Sequence, residues 1–478
     1  MKLSAVALAA SAVLPALSVA GTCNNVDAAE MNYWSAFQAM QRPSCLALPK
    51  STSDISVIMA VLTSLKAPFT VKAGGHTAYT GGSNIDDGIT IDLVHLNEIK
   101  VTDDRKTVSI GPGIRWVNVS TVLDPMNLAV LGGRDANVGG AGLLLGGGFS
   151  FFSGRHGWAC DNVKKYEVVL ASGEVVYASP HENRDLYKAL RGGGGSSFGI
   201  VTRFDLEALE QGDLWTNTLI FPSDQRVTLA EKFTDLTVHG LEDDLDAHTY
   251  FVMIYSADIG GTAALITFYH SVPPPEGQVP TVFQPFQTVP GAFVNTSSVT
   301  NVTTLSRAIA NDYGYRRTWS DFTFRLTSAE TFTAVTEVWK KGIDKMVAAV
   351  GDGYFDSSLV YQPITKSMMT VSLKNGGNSL GLDPEDGPLI EAHVLANWDN
   401  KELDQFIFDT VQEMIVASKE VTKNQGVDHD FTYMNYAGDW QDPLRGYGEQ
   451  SYTNLRKVSA KYDPKRILKK LWNGYFRV

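Results

Sequence analysis

Three clusters of glycine are the part of this sequence best suited to chemistry. They are Gly74-Gly75-His76, the run from Gly139 to Gly148, and the segment from Arg191 to Gly199. Clustered glycine costs backbone entropy, so a globular protein keeps it where backbone must approach another group closely. Successive exposed N–H groups in such turns form a concave site for anions. The clusters therefore predict a site for a diphosphate-containing cofactor, and tight β-turns alone remain the alternative.

The glycine clusters do not follow the patterns of two common enzyme folds. None reads G-x-G-x-x-G or opens a helix inside a βαβ unit, as a Rossmann site requires. Residues 195–199, Gly-Ser-Ser-Phe-Gly, match the G-x-S-x-G elbow of serine hydrolases. That elbow needs a strand before it and a helix after it. Here a helix-like segment, 185–191, precedes the motif and a strand, 200–206, follows it, which disfavours an esterase. A dinucleotide bound by loops is the better interpretation.

Composition and charge exclude other classes of function. A formal net charge of −12 argues against binding of a nucleic-acid backbone, which depends on Lys and Arg. The nine histidines are scattered and no cysteines stand at metal-ligand spacing, so no metal is expected. Beyond residue 20 no run of about 20 apolar residues could span a membrane. The expected partner is a small molecule.

The first 20 residues have the character of a secretory signal peptide, with cleavage expected near residue 20. A buried N-terminal helix is the alternative. Secretion permits disulfides, and Cys23 and Cys45 are the natural pair, which leaves Cys160 as a buried, inert thiol. A secreted chain would carry glycans on surface loops at its N-x-S/T sequons, unless these occur by chance. The sequons are at Asn118, Asn295 and Asn301.

The secondary structure predicted around the glycine clusters differs from that predicted for the rest of the chain. Residues 51–66 predict a helix capped by Ser53 or Asp54, and the glycine-rich part that follows, to about residue 207, reads as short strands. From about residue 209 strands alternate with long amphipathic helices, which predicts an antiparallel sheet backed by helices. The clearest segments are strands at 248–256, 264–270 and 389–398, and helices at 328–350, 402–423 and 448–461.

Seven segments stand in a fixed order along the chain: Val71 to Thr77, Gly88 to Leu93, Gly146 to Ser150, Trp158 to Val163, Arg191 to Val201, Tyr433 to Tyr436, and Tyr462 to Pro464. Together they resemble the vanillyl-alcohol-oxidase superfamily of FAD-linked oxidases, and the C-terminal motifs resemble its berberine-bridge-enzyme-like branch. The resemblance covers about residues 40–211 and 431–478, and the middle of the chain is similar only in texture.

The resemblance implies an α+β fold with a split FAD-binding domain. Residues 21–211 would form its first part, residues 212–430 an inserted substrate domain, and residues 431–478 a segment that returns to the FAD-binding domain. Residues 1–20 are the predicted signal peptide.

The resemblance also implies how the flavin is attached. In this family the histidine of the Gly-Gly-His motif is bonded to the flavin 8α-methyl group, and here that residue is His76. Many relatives add a cysteine bond, but an ungapped alignment on Gly146 places Asp135 at that position and Leu143 where relatives have histidine. We therefore expect FAD held covalently through His76 only.

Further residues are expected to contact FAD because they match the family's binding motifs. They are Lys72, Ala73, Gly74, Gly75, Thr77, Gly82, Ser83, Asp135, Asn137, Val138, Gly139, Gly142, Leu143, Gly146, Gly147, Gly148, Asn162, Val163, Gly195, Gly199, Ile200, Val201 and Tyr433.

The catalytic residues are expected in the C-terminal segment. In plant relatives the second tyrosine of Tyr-x-Asn-Tyr takes the proton while FAD takes a hydride, and here that tyrosine is Tyr436. Asn435 would hydrogen-bond flavin or substrate. Tyrosine needs a lowered pKa to act as a base. Packing of Tyr436 against the flavin without proton transfer is the alternative.

The expected activity is that of a secreted, monomeric FAD oxidase. Val138 falls at the family's oxygen-access position, where a small β-branched residue accompanies reaction with dioxygen and formation of H2O2. The substrate would be a small alcohol, sugar, phenol or alkaloid-like amine. A dehydrogenase or oxidative cyclase that uses another acceptor, or a flavin-retaining protein that only binds, remains open.

Overall fold

The computed structural model describes residues 23–24, as backbone only, and residues 32–478. The predicted signal peptide lies outside the described residues. So does the side chain of Cys23, and its pairing with Cys45 therefore stays a prediction. Cys160 is a free and buried thiol, as expected, and burial raises its pKa well above the ordinary value.

The described chain forms 19 strands. In chain order they are β1 Cys23–Asn24, β2 Cys45–Ala47, β3 Phe69–Lys72, β4 Ile89–Asp92, β5 Ile99–Val101, β6 Thr107–Ile110, β7 Leu128–Ala129, β8 Val163–Val169, β9 Val175–Ala178, β10 Ile200–Glu207, β11 Leu209–Glu210, β12 Leu214–Pro222, β13 Ala247–Ser256, β14 Gly261–His270, β15 Val294–Thr300, β16 Arg316–Arg325, β17 Phe355–Ile364, β18 Leu389–Trp398 and β19 Asp428–His429.

Helices of very different length connect and cover these strands. They are α1 Ala36–Ala39, α2 Thr52–Leu65, α3 Trp116–Leu123, α4 Gly140–Leu145, α5 Ser153–His156, α6 Arg184–Leu190, α7 Arg226–Asp235, α8 Leu241–Asp243, α9 Gln284–Gln287, α10 Val302–Ala308, α11 Glu330–Val350, α12 Lys366–Val371, α13 Asp404–Asn424, α14 Pro443–Gly446, α15 Glu449–Tyr462 and α16 Ile467–Leu471.

The strands form three larger sheets, as an α+β fold requires. The first, in the order β1-β2-β4-β3, is mixed, because β1 runs antiparallel to β2 whereas β2 and β3 run parallel to β4. The second, β5-β6-β10-β8-β9, is antiparallel. The third has eight strands in the order β15-β12-β14-β13-β17-β18-β16-β19 and is also antiparallel. This eight-stranded sheet is the one predicted for the middle of the chain.

The long helices α11 and α13 cover one face of the eight-stranded sheet. Their buried residues, such as Trp339 and Ile415, join Phe322 and Val394 of the sheet in one apolar cluster. Strand β18 is buried along nearly its whole length, because the helices cover one of its faces and the rest of the protein covers the other. The face of the sheet that the helices leave uncovered is therefore turned toward the interior of the protein.

The C-terminal segment packs with the first part of the chain. Phe431, Tyr433 and Met434 belong to the same apolar cluster as Phe204 of β10 and Trp158. Burial of these large side chains stabilises the association by roughly 1.5–3 kcal/mol each. This packing returns the end of the chain to the glycine-rich region.

Two local predictions require correction. Helix α2 is capped by Ser51, whose Oγ accepts from the N–H of Asp54, not by Ser53 or Asp54. The sequons do not lie in loops: Asn118 lies in α3, Asn295 in the exposed edge strand β15, and Asn301 caps α10 by accepting from the N–H of Thr304. Ser and Asn are both favoured at the N-cap, which accounts for the positions of Ser51 and Asn301.

The described residues lack two features that would suggest other functions. No helix there has the length and apolar character needed to cross a bilayer. No group of three or more His, Cys, Asp or Glu side chains in the same residues is arranged to hold a metal ion.

Candidate active site

A cavity of about 460 Å³ lies between the glycine clusters and the inner face of the eight-stranded sheet. All three clusters reach it, and they supply Gly74, Gly139 and Gly195 to its wall. The opposite wall carries side chains of β13, β16, β17 and β18, with Trp319 and His393 among them. The cavity therefore joins the two parts of the fold that the sequence predicted separately.

The first glycine cluster forms an open backbone turn. Gly75 has φ +66°, a left-handed conformation that other residues adopt at a cost. Within the described chain, no acceptor bonds the backbone N–H groups of residues 74–77. A run of free N–H groups around a left-handed residue attracts anionic oxygen atoms.

His76 is buried beside this turn and is held by stacking. Its ring lies 4.4 Å from the ring of Trp34 at an interplanar angle of 16°, and Arg317 lies 3.9 Å above the same tryptophan. Its Nε2 is buried and has no hydrogen-bond partner within the described part of the chain. Burial lowers the pKa of His76 to about 4, while nearby Asp135 opposes the shift. The imidazole is therefore neutral and nucleophilic at physiological pH.

Asp135 is the acidic neighbour of His76. One of its carboxylate oxygens lies 3.9 Å from Nε2 of His76. The carboxylate accepts hydrogen bonds from the backbone N–H of Asn137 at 2.7 Å and from the backbone and side chain of Asn311 at 2.9 Å each. Asp135 has no sulfur atom, so it cannot form the bond that a cysteine forms with a flavin.

The residues at the cavity fit FAD. His76 lines the cavity, and its Nε2 has no hydrogen-bond partner in the described part of the chain. The free N–H groups of the turn suit a diphosphate. The glycines leave room, since a Cβ on Gly142 would meet nothing within 4 Å. FAD bound here would be held by the glycine turns and by His76.

Most residues expected to contact the cofactor line the cavity. Those that do are Ala73, Gly74, Gly75, His76, Thr77, Gly82, Ser83, Asp135, Val138, Gly139, Gly142, Leu143, Gly146, Gly195, Gly199, Ile200, Val201 and Tyr433, together with Asn435 and Tyr436. Those that do not are Lys72, Asn137, Gly147, Gly148, Asn162 and Val163.

The residues outside the lining support its wall. Lys72 turns away to form a buried ion pair with Asp92 at 2.8 Å on the neighbouring parallel strand. Asn137 donates to Asp135 through its backbone N–H, and its carbonyl accepts from Arg115 at 2.6 Å. Both residues therefore hold neighbours of the cavity in place.

The other four residues outside the lining, Gly147, Gly148, Asn162 and Val163, form hydrogen bonds with neighbouring segments. The carbonyls of Gly147 and Gly148 accept from the N–H groups of Cys160 and Ala159, each at 2.8 Å. Asn162 donates to the carbonyls of His156 and Trp158. Val163 begins β8, and its carbonyl accepts from Tyr187.

The C-terminal Tyr433–Tyr436 turn enters the cavity between its two walls. The hydroxyl of Tyr433 accepts from the N–H of Gly148 and from the side chain of Asn435, each at 3.0 Å. Asn435 also donates to the carbonyl of Leu143. The turn is thereby fastened to the middle glycine cluster, which fixes the position of Tyr436.

Tyr436 stacks in the cavity on Trp319, with ring centroids 4.4 Å apart and an interplanar angle of 14°. Its hydroxyl accepts from Arg134 at 3.2 Å. Burial raises the pKa of Tyr436, although Arg134 opposes the shift. The lowered pKa that a tyrosine base needs is therefore absent, and the phenol is protonated at neutral pH.

A pair on β18 that the sequence interpretation missed lies beside Tyr436. Both carboxyl oxygens of Glu391 lie 3.0 Å from Nδ1 of His393, and the His393 ring centroid lies 4.3 Å from that of Tyr436. Burial lowers the pKa of His393 well below its ordinary value and raises that of Glu391 well above it. The imidazole is neutral, and Nε2 is its nitrogen without a partner in the described structure.

A signal for this pair was present in the sequence. Glu391 and His393 stand two residues apart in an apolar strand, so they share one face. Polar residues on a buried face need a partner or a function. The strand was predicted, but the sequence does not show which space that face borders.

Comparisons with known proteins agree with this geometry. Residues 43–179 match the family described as FAD binding domain. The FAD-dependent monooxygenase tpcD of Cochliobolus heterostrophus is 34% identical over 460 residues, which cover 93% of this chain and 87% of the relative. The FAD-dependent monooxygenase CTB5 of Cercospora nicotianae is 32% identical over 471 residues, or 94% and 99% of the two chains.

Solved structures share the fold at low identity. Xylooligosaccharide oxidase from Myceliophthora thermophila superposes with a TM-score of 0.78 at 19% identity, over 98% of this chain and 99% of that one. A variant of berberine bridge enzyme superposes with a TM-score of 0.74 at 16% identity, over 95% and 98%. The chain therefore shares the fold of these two proteins.

Proposed function

Because the chain belongs to the vanillyl-alcohol-oxidase superfamily of FAD-linked oxidoreductases, we propose that it oxidises a small organic molecule with an FAD bonded to the protein through His76 alone. One observation carries the proposal: a single cavity has the neutral, unpartnered imidazole of His76 on one wall and a set of proton-handling side chains, Tyr436 and the Glu391–His393 pair, on the other. The flavin, when bound, supplies the site that accepts a hydride.

The protein must take up a proton while the hydride leaves the substrate carbon. We assign this step to Nε2 of His393. Burial makes this imidazole a weaker base than a free histidine, but its Nε2 lone pair has no partner in the described structure and is open to the proton, whereas Tyr436 keeps its phenolic proton. Glu391 orients the ring through Nδ1, and it differs from the ionised acid of a catalytic triad because burial raises its pKa. Tyr436, held in place by its stacking on Trp319, would position the substrate.

The single attachment is supported by the side chains around the cavity. His76 has a free nitrogen, while Asp135 replaces the thiol that a second bond requires. Cys160, the free cysteine of the described chain, does not line the cavity. A covalent bond prevents loss of the cofactor from a protein that works in dilute surroundings.

We propose dioxygen as the electron acceptor, with H2O2 as product. Val138 lines the cavity beside Gly139, where it leaves a small apolar approach for oxygen. The test is aerobic turnover of candidate alcohols, sugars, phenols and amines with H2O2 measured against product. One peroxide per product supports the oxidase, and turnover that requires another acceptor contradicts it.

Oxygen insertion is the second candidate, because the relatives at 32–34% identity are called monooxygenases. Turnover under ¹⁸O₂ separates the two. Label in the organic product indicates insertion, whereas label only in peroxide indicates an oxidase.

We also propose that the chain is exported, cleaved near residue 20, and bridged between Cys23 and Cys45. N-terminal sequencing of the secreted protein tests the cleavage. Non-reducing peptide mapping tests the bridge, and a disulfide that contains Cys160 would contradict it.

A further inference from the structure

Trp34 lies directly against the histidine that the proposed function assigns to the flavin bond. Its ring is fully buried and stacks on the ring of His76, with centroids 4.4 Å apart and planes 16° from parallel. No other histidine ring in residues 32–478 stacks face to face on an aromatic side chain. The stacked pair is therefore a particular feature of the attachment site and not a general habit of the histidines in the described chain.

The Nε2 nitrogen of His76 has no hydrogen bond that would fix the direction of the ring. It has no partner in the described part of the chain, and the Asp135 carboxylate lies 3.9 Å away, which is beyond hydrogen-bond distance. Rotation of an imidazole about χ2 is broad and roughly two-fold. A neighbouring flat surface is therefore needed to select one orientation of the ring, and Trp34 supplies it.

The backbone of Trp34 is bonded to both parts of the fold. Its N–H donates to the carbonyl of Gly75 at 3.0 Å, and its carbonyl accepts from the N–H of Gly314 at 3.3 Å. Gly75 belongs to the turn that presents His76, and Gly314 lies two residues before β16. Trp34 therefore connects the attachment turn with the strand that begins the inner wall of the substrate sheet.

Two further side chains restrict the ring of Trp34. The guanidinium of Arg317 lies 3.9 Å from the ring centroid, where a cation is attracted to the face of an indole. Arg317 is itself held, since it is buried and donates to the carbonyl of Asp312 at 2.8 Å. The ring of Trp319 lies 5.3 Å away at a tilt of 45°. A change of rotamer at Trp34 would therefore displace buried, closely packed neighbours.

Trp34 acts on the cavity only through His76. It does not line the cavity, whereas His76 does, so a flavin in the cavity would meet the imidazole and not the indole. Formation of a bond requires the two reacting atoms to be held within a narrow range of distance and angle, and a misplacement of about 1 Å can cost about 10²-fold in rate. The orientation of the His76 ring is thus a condition for its attachment to the flavin.

We propose that Trp34 is a positioning residue for covalent attachment of the flavin, and that it acts by holding the His76 ring in the orientation from which the bond forms. The proposal rests on the proposed function and deepens it at the same site. During attachment an N–C bond forms between the imidazole and the flavin methyl carbon, while one N–H bond and one C–H bond break. The two protons and two electrons pass through the flavin to dioxygen, which becomes H2O2.

The test separates flavin that is bound from flavin that is bonded. The full chain is produced under riboflavin starvation and then given FAD in air. Total bound flavin is measured by absorbance, and the covalent part is the flavin that stays with the protein after acid precipitation. Trp34→Leu should bind FAD but form the bond about 10²-fold more slowly than wild type. Trp34→Phe keeps a flat ring and should stay within about 10-fold of wild type.

The matched control is Trp339→Leu. Trp339 is also buried, but it lies in α11 within the apolar cluster between the long helices and the eight-stranded sheet, and it does not line the cavity. This variant should have a lower thermal midpoint and an unchanged rate of attachment. A general loss of packing would slow attachment in both leucine variants, so the comparison assigns the effect to the position of Trp34.

Attachment in Trp34→Leu at the wild-type rate would overturn the proposal, as would equal slowing in Trp339→Leu. If Trp34→Leu does not fold, Trp34→Met takes its place, because a flexible methionine fills irregular space without a flat ring. Failure of the proposed attachment has a different signature, since wild type itself would then hold no covalent flavin, and that result would overturn both proposals.

Discussion

Gly74 and Gly139 lie against each other, so that a Cβ built on either falls 2.5 Å from the backbone of the other. Gly74 precedes the histidine of the first glycine cluster, and Gly139 begins the second. No side chain larger than hydrogen fits at this contact. The contact therefore fixes the distance between the turn that carries His76 and the middle glycine cluster.

Gly142→Ala tests whether the space beside Gly142 is needed for the cofactor rather than for folding. Gly142 lies inside α4 and lines the cavity, and a Cβ there meets no protein atom within 4 Å. Alanine favours a helix by up to about 1 kcal/mol over glycine. We expect unchanged or higher thermal stability of the apoprotein with a lower FAD content, measured by absorbance after purification.

The control for this change is Gly212→Ala, which also meets open space but lies outside the cavity lining. Its FAD content should equal that of wild type. Full flavin content in Gly142→Ala would mean that the cofactor does not approach α4.

His76→Gln tests the covalent bond. We expect FAD to stay in the supernatant after acid precipitation, while wild-type flavin stays with the protein, because the nucleophilic nitrogen is gone. Circular dichroism should show the fold intact. Cys160→Ser is the control and should keep its covalent flavin. Flavin found by mass spectrometry on a peptide without His76 would contradict the single attachment.

His393→Asn and Tyr436→Phe together identify the proton acceptor. Loss of a general base slows the reaction by about 10²–10⁴-fold. We expect a reduction of this size in the rate of flavin reduction by substrate for His393→Asn, measured by stopped flow. Tyr436→Phe keeps the ring on Trp319 and should slow the same step by less than about 10-fold.

Reoxidation of the reduced flavin by oxygen serves as the internal reference, and neither variant should alter it. The opposite pattern, with Tyr436→Phe slow and His393→Asn near wild type, would return the base to Tyr436, where the sequence placed it.

His248 should make the protein less stable in acid. Burial and Arg134 lower its pKa well below the ordinary value of 6.5, so the folded state binds the proton less readily than the unfolded chain. Stability from the neutral form is complete above the unfolded pKa and is lost as the pH falls below about 6.5, by at most about 1.4 kcal/mol per pH unit. His248→Asn removes this dependence.

The measurement is the denaturant midpoint at several pH values for wild type and variant. The difference between them should change in favour of His248→Asn as the pH falls. His239→Asn, at an exposed histidine, is the control and should follow wild type. Parallel curves for wild type and His248→Asn would show that His248 does not titrate as described.

The sequence by itself determined the features that depend on local rules. Alternation of apolar residues predicted strands β13, β14 and β18, and helical periodicity predicted α2, α11, α13 and α15. The glycine clusters predicted which backbone segments line the cavity. The family motifs gave His76 and the place of Asp135. Each of these follows from neighbours along the chain, and the differences from the structure are shifts of a few residues at the ends of elements.

Only the tertiary structure decided which side chains face one another across the cavity. Arg134 follows a glycine turn, His248 lies on β13, Gln362 on β17, and His393 on β18, yet they share one network. Strand order in the sheet, β13-β17-β18, brings them together, and that order is set by non-local pairing. The same burial that unites them fixes their charges, because desolvation depends on all the surrounding atoms and not on sequence neighbours.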